Sequence, residues 1–347
     1  MKKLLILLFI PFGLSAQFNV TDGEGNRVFY NGDQVRSVGI PDYTPSTDTT
    51  YNGEPTILWT QKFDDFGSTV PKNNLNTTDR NTLFQTCKNS DGWGFDGIFN
   101  VDLVIDDGDT MIRFNMLADE YDPPSGSSTY KVLNGDLGDK TELWQGIKWR
   151  ASSNFFEEDG GKMVGGFVLG EDAKFSVGGA GPPYDGIHLR GNWNGEPSGD
   201  ATYRWYYYWI NQATAFGDNS SNFELPWESG VNDYYETGEW HYFASRIVAN
   251  TAGDSTQQYV EGWDSAPGTS LTRLSHRMDS LRMRDEDSLY LDYIPITVFR
   301  GGNDAPSFDT YIEVTEWWLF EYPDAANTIT DQERGDTTMV LTFPWDL

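Results

Sequence analysis

The sequence holds one cysteine, Cys87, and so cannot close a disulfide within the chain. The fold must therefore hold by packing, with Cys87 read as a small buried apolar residue. Histidine is almost as scarce: three in 347 residues, without the spacing of a catalytic zinc site, so no metal and no cofactor is expected. Basic residues number 24 against 53 acidic ones, for a formal net charge of −29. Such a field repels nucleic acid and anionic membranes, and neither is expected as a partner. Helical periodicity is nearly absent, and only Leu271 to Asp285 has charged spacing that suits a short surface helix.

Long apolar runs are missing after the beginning of the chain. There, Lys2 and Lys3 precede Leu4 to Leu8 with Phe9, Ile10 and Phe12, and the run ends at Leu14-Ser15-Ala16. This pattern predicts a secretory signal (1–16) cleaved near Ala16, too short to span a bilayer. Its loss would take the net charge from −29 to −31. The mature protein is expected to be soluble, exported (extracellular or periplasmic) and monomeric, and long enough for one large β domain. The dense acid is read as solubility in salt, where screening is strong. The few Lys and Arg set among aromatics then become the informative ones.

Aromatics are abundant, at 15% of the chain with 13 Trp. Most are expected to fill a sandwich core, and the excess suits the stacking of ring faces on sugars. Residues 17–55 are rich in Gly, Asp, Thr and Pro and predict a loosely packed N-terminal extension, with a hairpin candidate around Asn26 to Tyr30. From Thr56 onward short strand patterns recur: Thr56 to Phe63, Val101 to Asp106, Thr110 to Met116, Glu142 to Trp149 and Gly166 to Leu169. His241 to Val248, Gln258 to Trp263, Tyr293 to Phe299 and Tyr311 to Phe320 continue the series, and Met339 to Phe343 reads as an edge strand or docked tail. Asp107-Gly108-Asp109 marks a hairpin turn. Many short strands without alternating helices predict an all-β, antiparallel β-sandwich or β-jelly roll over 56–347, with no repeat, linker or second domain.

Chemistry concentrates in three stretches. The first is Gly160-Gly161-Lys162-Met163-Val164-Gly165-Gly166. In the second, Ile187 to Trp193, strand alternation puts His188, Arg190 and Asn192 on one face and Ile187 and Leu189 on the other. In the third, Tyr203 to Trp209, it puts Tyr206 and Tyr208 opposite Tyr203, Trp205, Tyr207 and Trp209. Each element alone is ordinary for a sheet; together they match what β-elimination from a uronate needs. A cation must neutralise the sugar carboxylate so that the C5 proton becomes removable, which Arg190 and Lys162 can do, Arg bidentately. A base must take that proton and an acid must protonate the leaving oxygen. His188 or a Tyr could be the base and a second Tyr the acid.

Gly-Gly-Lys-x-x-Gly-Gly, the strand carrying Arg190 with Trp193 downstream, and Tyr206-x-Tyr208 together resemble the polysaccharide lyases of families 14 and 20. These are alginate and glucuronan lyases on a β-jelly roll. Gly238-Glu239-Trp240-His241 followed by Asn250-Thr251, and Phe299-Arg300-Gly301-Gly302-Asn303-Asp304, are similar to their later strands. The similarity spans Thr56 to Tyr322 in scattered motifs. It implies that Lys162, Arg190, Tyr206 and Tyr208 are catalytic. It departs at His188, where the alginate pattern has Ser, at Met163-Val164, where Leu-Pro is usual, and in an insertion between Lys162 and His188. Catalytic residues are thus expected at Lys162, His188, Arg190, Tyr206 and Tyr208, and substrate contacts at Asn192, Trp193, Glu142 and Arg300.

The expected substrate is an anionic polysaccharide, alginate first, glucuronan or ulvan next. A non-catalytic carbohydrate-binding protein and a glycoside hydrolase on a similar sandwich are the alternatives. Glu142 and Glu239 could form a hydrolase pair, but no Glu-x-Asp-x-x-Glu signature is present. The aspartates at 102, 106, 107 and 109, and at 304 and 309, could hold a structural calcium, but their spacing matches no EF-hand loop, and solvated acid is the simpler reading.

Overall fold

The computed structural model describes residues 19–21, 27–31, 34–38, 54–63, 93–98, 100–106, 109–120, 126–133, 137–155, 160–170, 173, 185–195, 201–210, 212, 216–220, 235–249, 258–265, 268, 272–279, 281–301, 307–322 and 343–347. The signal-like run, Cys87, the turn at 107–108, Asp304 and most of the tail fall outside them. The chain divides into two units, Met1–Thr49 and Thr50–Leu347. The first holds a three-stranded antiparallel sheet of β1 (Asn19–Thr21), β2 (Arg27–Asn31) and β3 (Gln34–Val38), in which the expected hairpin becomes the β2–β3 pair.

The second unit is a sandwich of two antiparallel sheets, and its described residues include no α-helix. In chain order its strands are β4 (Thr56–Lys62), β5 (Trp93–Ile98), β6 (Val101–Asp106), β7 (Asp109–Met116) and β8 (Gly126–Val132). Next come β9 (Glu142–Ala151), β10 (Gly161–Leu169), β11 (Ile187–Gly195), β12 (Ala201–Trp209) and β13 (Asp218–Asn219). The last are β14 (His241–Val248), β15 (Tyr259–Ser265), β16 (Thr272–Asp279), β17 (Leu291–Arg300) and β18 (Thr310–Glu321). One sheet runs β13-β12-β11-β10-β17-β8-β5; the other runs β16-β15-β14-β9-β18-β7-β6, with β4 pairing the far half of β18.

The core lies between the sheets. Met163, Phe167, Leu189, Trp193, Tyr203 and Trp205 come from the first, and Ile147, Trp149, Phe243, Val314 and Trp317 from the second. Tyr203 packs against Phe243 with ring centroids 4.9 Å apart, a direct contact between sheets. A smaller aromatic cluster, Trp144, Trp263, Trp318 and Phe320 with Phe343 of the tail, is built on the second sheet. Packing thus accounts for most of the tryptophans, five of which (Trp144, Trp149, Trp193, Trp205 and Trp317) are among the largest fully buried side chains.

Two expectations are corrected. The helix expected over Leu271 to Asp285 does not form, because Thr272–Asp279 is β16, paired along β15. Its charges fit a strand: Arg277 Nε donates to Asp279 Oδ1 at 2.8 Å, a pairing two residues apart that only an extended chain brings onto one face. Asp102 is not a solvated acid; it is nine-tenths buried and accepts from Asn115 Nδ2 at 2.8 Å.

Candidate active site

The three chemistry-bearing stretches become adjacent strands, β10, β11 and β12, and their register assembles the site. Lys162 lies opposite Asn192, which lies opposite Arg204. One rung on, Gly166, Arg190 and Tyr206 align; on the next, Val168, His188 and Tyr208 do. Since Leu189, Tyr203 and Trp205 fill the core, alternation turns His188, Arg190, Asn192, Arg204, Tyr206 and Tyr208 to the other face.

Between Met163 and Gly166 the β10–β11 register shifts through a bulge. Gly165 and Gly166 have φ of +96° and +135°, conformations that side-chain-bearing residues rarely adopt. The bulge is fastened from both sheets. Tyr203 Oη donates to the Val164 carbonyl at 2.6 Å, and the Gly166 amide donates to Gln145 Oε1, from β9, at 3.1 Å. That is what the glycine pairs around Lys162 do: they let β10 bend so that Lys162 and Arg190 keep to one face across an irregular ladder.

Lys162 Nζ sits 3.4 Å from the centroid of the Tyr206 ring. Burial, and then the nearby charges of Arg190 and Arg204, lower its pKa to about 7. A neutral amine is therefore within reach near neutral pH. Arg190 is buried, which lowers its pKa to about 10, so it remains cationic there. Its Nε donates to His188 Nε2 at 2.7 Å. His188 Nδ1 lies 3.1 Å from the Ala173 carbonyl, and the two contacts together fix the tautomer: Nδ1 carries the proton to Ala173 and Nε2 receives from Arg190. Burial, then the charge of Arg190, push His188 well below its usual pKa, so the ring is neutral.

Tyr206 and Tyr208 share a hydrogen bond between their hydroxyls at 3.2 Å, with rings edge to face at 5.3 Å. The Gly217 amide donates to the Tyr206 hydroxyl at 2.9 Å, fixing that oxygen from the neighbouring segment. Burial, then the bond to Tyr206, raises the Tyr208 pKa above its ordinary value, outweighing the opposite pull of Arg190. Tyr208 is thus protonated at neutral pH. Asn192 bridges the end of the site, donating to the Gly161 carbonyl at 2.5 Å and accepting from Arg204 Nε at 2.9 Å.

Three expected substrate contacts lie elsewhere. Trp193 is 1% exposed and packs edge-on against Phe155 in the core; the alternation that separates Leu189 from Arg190 places it inward too. Arg300 is fully buried, its Nη1 donating to the carbonyls of Leu117 and Glu120 at 2.6 and 2.9 Å and its Nη2 to Thr310 Oγ1 at 3.1 Å. Glu142 stands on β9 in the other sheet, accepting from Arg246 Nε at 2.9 Å. Trp193 and Arg300 are thus packed inside the fold, and Glu142 is paired on the opposite sheet. Arg204 went unrecognised although it shares the parity of Tyr206 and Tyr208. Gln145 and Gly217 carry no local signal, because their partners are 21 and 11 residues away in sequence.

No family model matches the chain, and no curated protein matches it. Among solved structures, the marine PL-14 alginate lyase from Aplysia kurodai superposes with a TM-score of 0.58, over 77% of this chain and 100% of that one, at 17% identity. The chain has the fold of that alginate lyase. A variant of alginate lyase Aly36B in complex with an alginate trisaccharide gives 0.53 over 75% and 96% of the two chains at 18% identity. The alginate lyase vAL-1 from Chlorella virus gives 0.52 over 70% and 97% at 14% identity. At these identities the likeness establishes a polysaccharide-lyase fold, and the chemistry rests on the site itself.

Proposed function

We propose that the protein is an exported polysaccharide lyase that cleaves a uronic-acid polymer, alginate first, by β-elimination without a metal. The observation that carries this reading is the convergence of Lys162, Arg190, Tyr206 and Tyr208 on one face of three adjacent strands, in a fold that alginate lyases use. Glucuronan and ulvan present the same carboxylate to the same groups and are the next substrates to try.

Roles follow from the charge states. Arg190, cationic and held by His188, neutralises the carboxylate of the reacting uronate and stabilises the enolate formed as the C5 proton leaves. Lys162, whose pKa burial and its neighbouring arginines lower to about 7, takes that proton in its neutral form. The electron pair forms the C4–C5 double bond and the C4–O bond breaks. The Tyr206–Tyr208 pair, in which Tyr208 is held protonated, gives a proton to the leaving oxygen. Environments that push an amine down and a phenol up divide the roles of base and acid between them. His188 acts through Arg190 and is a positioning residue, and Asn192 with Arg204 holds the adjoining end of the face.

The product carries an unsaturated end that absorbs in the ultraviolet, whereas a hydrolase leaves a saturated one. Following that absorbance on alginate, glucuronan and ulvan tests the reading: the first should give a rising signal, and binding without signal on all three would favour a carbohydrate-binding protein.

A further inference from the structure

Gln145 stands on β9, in the sheet opposite the site, and is fully buried. Its side chain crosses the core: Oε1 accepts from the Gly166 amide of β10 at 3.1 Å and from Ser245 Oγ of β14 at 3.3 Å. The backbone N–H of Gly166 can only donate, so the atom it faces is the oxygen and the orientation of the amide is fixed. The other end of that amide, Nε2, is buried and meets no acceptor among the described residues. A donor left unpaired in the core costs stability, and an apolar side chain of similar volume would avoid that cost. Glutamine at this position is explained by what its oxygen holds.

It holds the bulge beside Lys162. Lys162 pairs with Asn192 and Gly166 with Arg190, so four steps along β10 match two along β11. The extra residues are fitted into a narrow space. A Cβ on Gly165 would meet Phe243 Cε1 at 2.8 Å and Tyr203 Oη at 2.9 Å, and one on Gly191 would overlap the Tyr203 hydroxyl. Tyr203 fastens the Val164 carbonyl and Gln145 fastens the Gly166 amide, so both ends of the bulge are held from inside the core.

We propose that Gln145 is a positioning residue for Lys162: by holding the bulge from the opposite sheet, it keeps the amine over the Tyr206 ring and beside Arg190 and Arg204. The inference rests on the lyase reading, in which Lys162 is the base, and adds to it a residue that acts only through Lys162. The charged and titratable groups around the amine are Arg190 and His188 from β11 and Arg204, Tyr206 and Tyr208 from β12, while its register partner on β17 is Phe299. Burial first, and then the charges of Arg190 and Arg204, hold the lysine down to about 7. Both causes depend on where the backbone points the side chain. A bulge that relaxes lets the amine swing toward water and away from the arginines, and each change favours the ammonium.

The test uses the full chain and pH–rate profiles on alginate. Gln145→Met removes the acceptor and the unpaired donor at nearly constant volume. Its ascending limb in kcat/KM should move up by about one pH unit, lowering activity several-fold at pH 7 and reaching the plateau at higher pH. Gln145→Glu, kept neutral by desolvation, still offers a carbonyl oxygen to Gly166 and should return the limb to the wild-type position. An unmoved limb in Gln145→Met would make Gln145 a core residue only. A limb displaced as far in Gln145→Glu as in Gln145→Met would show that the oxygen is not what matters. Either result overturns the proposal. If Gln145→Met does not fold, Tyr203→Phe frees the Val164 end of the same bulge; its limb should also move up, and an unmoved limb refutes the link between bulge and lysine. If the wild type forms no unsaturated product, the lyase reading fails by itself. The titration of Lys162 is then followed by NMR of isotope-labelled lysine, assigned by its loss in Lys162→Ala. A higher midpoint in Gln145→Met supports the positioning role, and equal midpoints in the variant and the wild type refute it.

Discussion

Arg190 Nε donates to His188 Nε2 at 2.7 Å, while the far nitrogen of that imidazole is occupied by the Ala173 carbonyl. The ring is buried, neutral and engaged at both nitrogens, so it orients the guanidinium and is ill-placed to abstract a proton. His188→Ala should therefore lower kcat/KM about a hundredfold by loosening Arg190, with the pH profile keeping its shape. His188→Asn, whose amide oxygen can again accept from Nε, should recover part of the loss. A profile that loses its ascending limb in His188→Ala would instead make the histidine the base.

Lys162 predicts where that limb lies. Its free amine is the active form, so kcat/KM should rise as pH increases through about 7 and then level off. Arg204 is one of the charges that hold the lysine down, and removing a like charge favours the protonated form. Arg204→Ala should shift the ascending limb to higher pH, which a pH–rate profile on alginate reads directly. A shift to lower pH, or no limb near neutrality in the wild type, would remove Lys162 from the role of base.

Much of this site was legible from alternation alone. The rule that separates Arg190 from Leu189 and Tyr206 from Trp205 holds in the folded sheet, and it would also have placed Trp193 inward and Arg204 outward had it been carried two residues further in each strand. Local pattern does not place Arg300 and Glu142, because distant partners decide their positions: Arg300 is matched by carbonyls 183 and 180 residues away. The β16 strand was missed because charged residues on an edge strand space themselves much as on a surface helix. The tethering of the bulge by Gln145 and of Tyr206 by Gly217 depends on tertiary contact and has no counterpart in local pattern.

The two tyrosines should separate by substitution. Tyr206→Phe removes the hydroxyl that joins Tyr208 to the Gly217 amide, and Tyr208→Phe removes its more deeply buried partner. Loss of the proton donor should lower kcat by about 10²- to 10⁴-fold with KM little changed. The two hydroxyls share one hydrogen bond, so the double variant should be no worse than the poorer single one, as a kinetic cycle would show. Independent, multiplying losses would mean that they do not act as a unit.

Glu142 and Arg300 should behave as framework. Glu142→Gln weakens the pairing of Arg246, which is 3% exposed at the side chain, and should cost about 1–3 kcal/mol in denaturant unfolding with KM unchanged. Arg300→Met strands two carbonyls and a threonine hydroxyl and should cost about 3 kcal/mol or more. A rise in KM without loss of stability in either variant would return it to the substrate-binding surface.

The central claim is that Lys162 and Arg190 drive an elimination on a uronate polymer. The most direct measurement follows ultraviolet absorbance and reducing ends together, on alginate, for the wild type, Lys162→Ala and Arg190→Ala, each first confirmed to be folded by circular dichroism. The account predicts that the wild type generates both signals in step and that both variants lose them while keeping the fold. New reducing ends without absorbance in the wild type, or full absorbance in either variant, would contradict it.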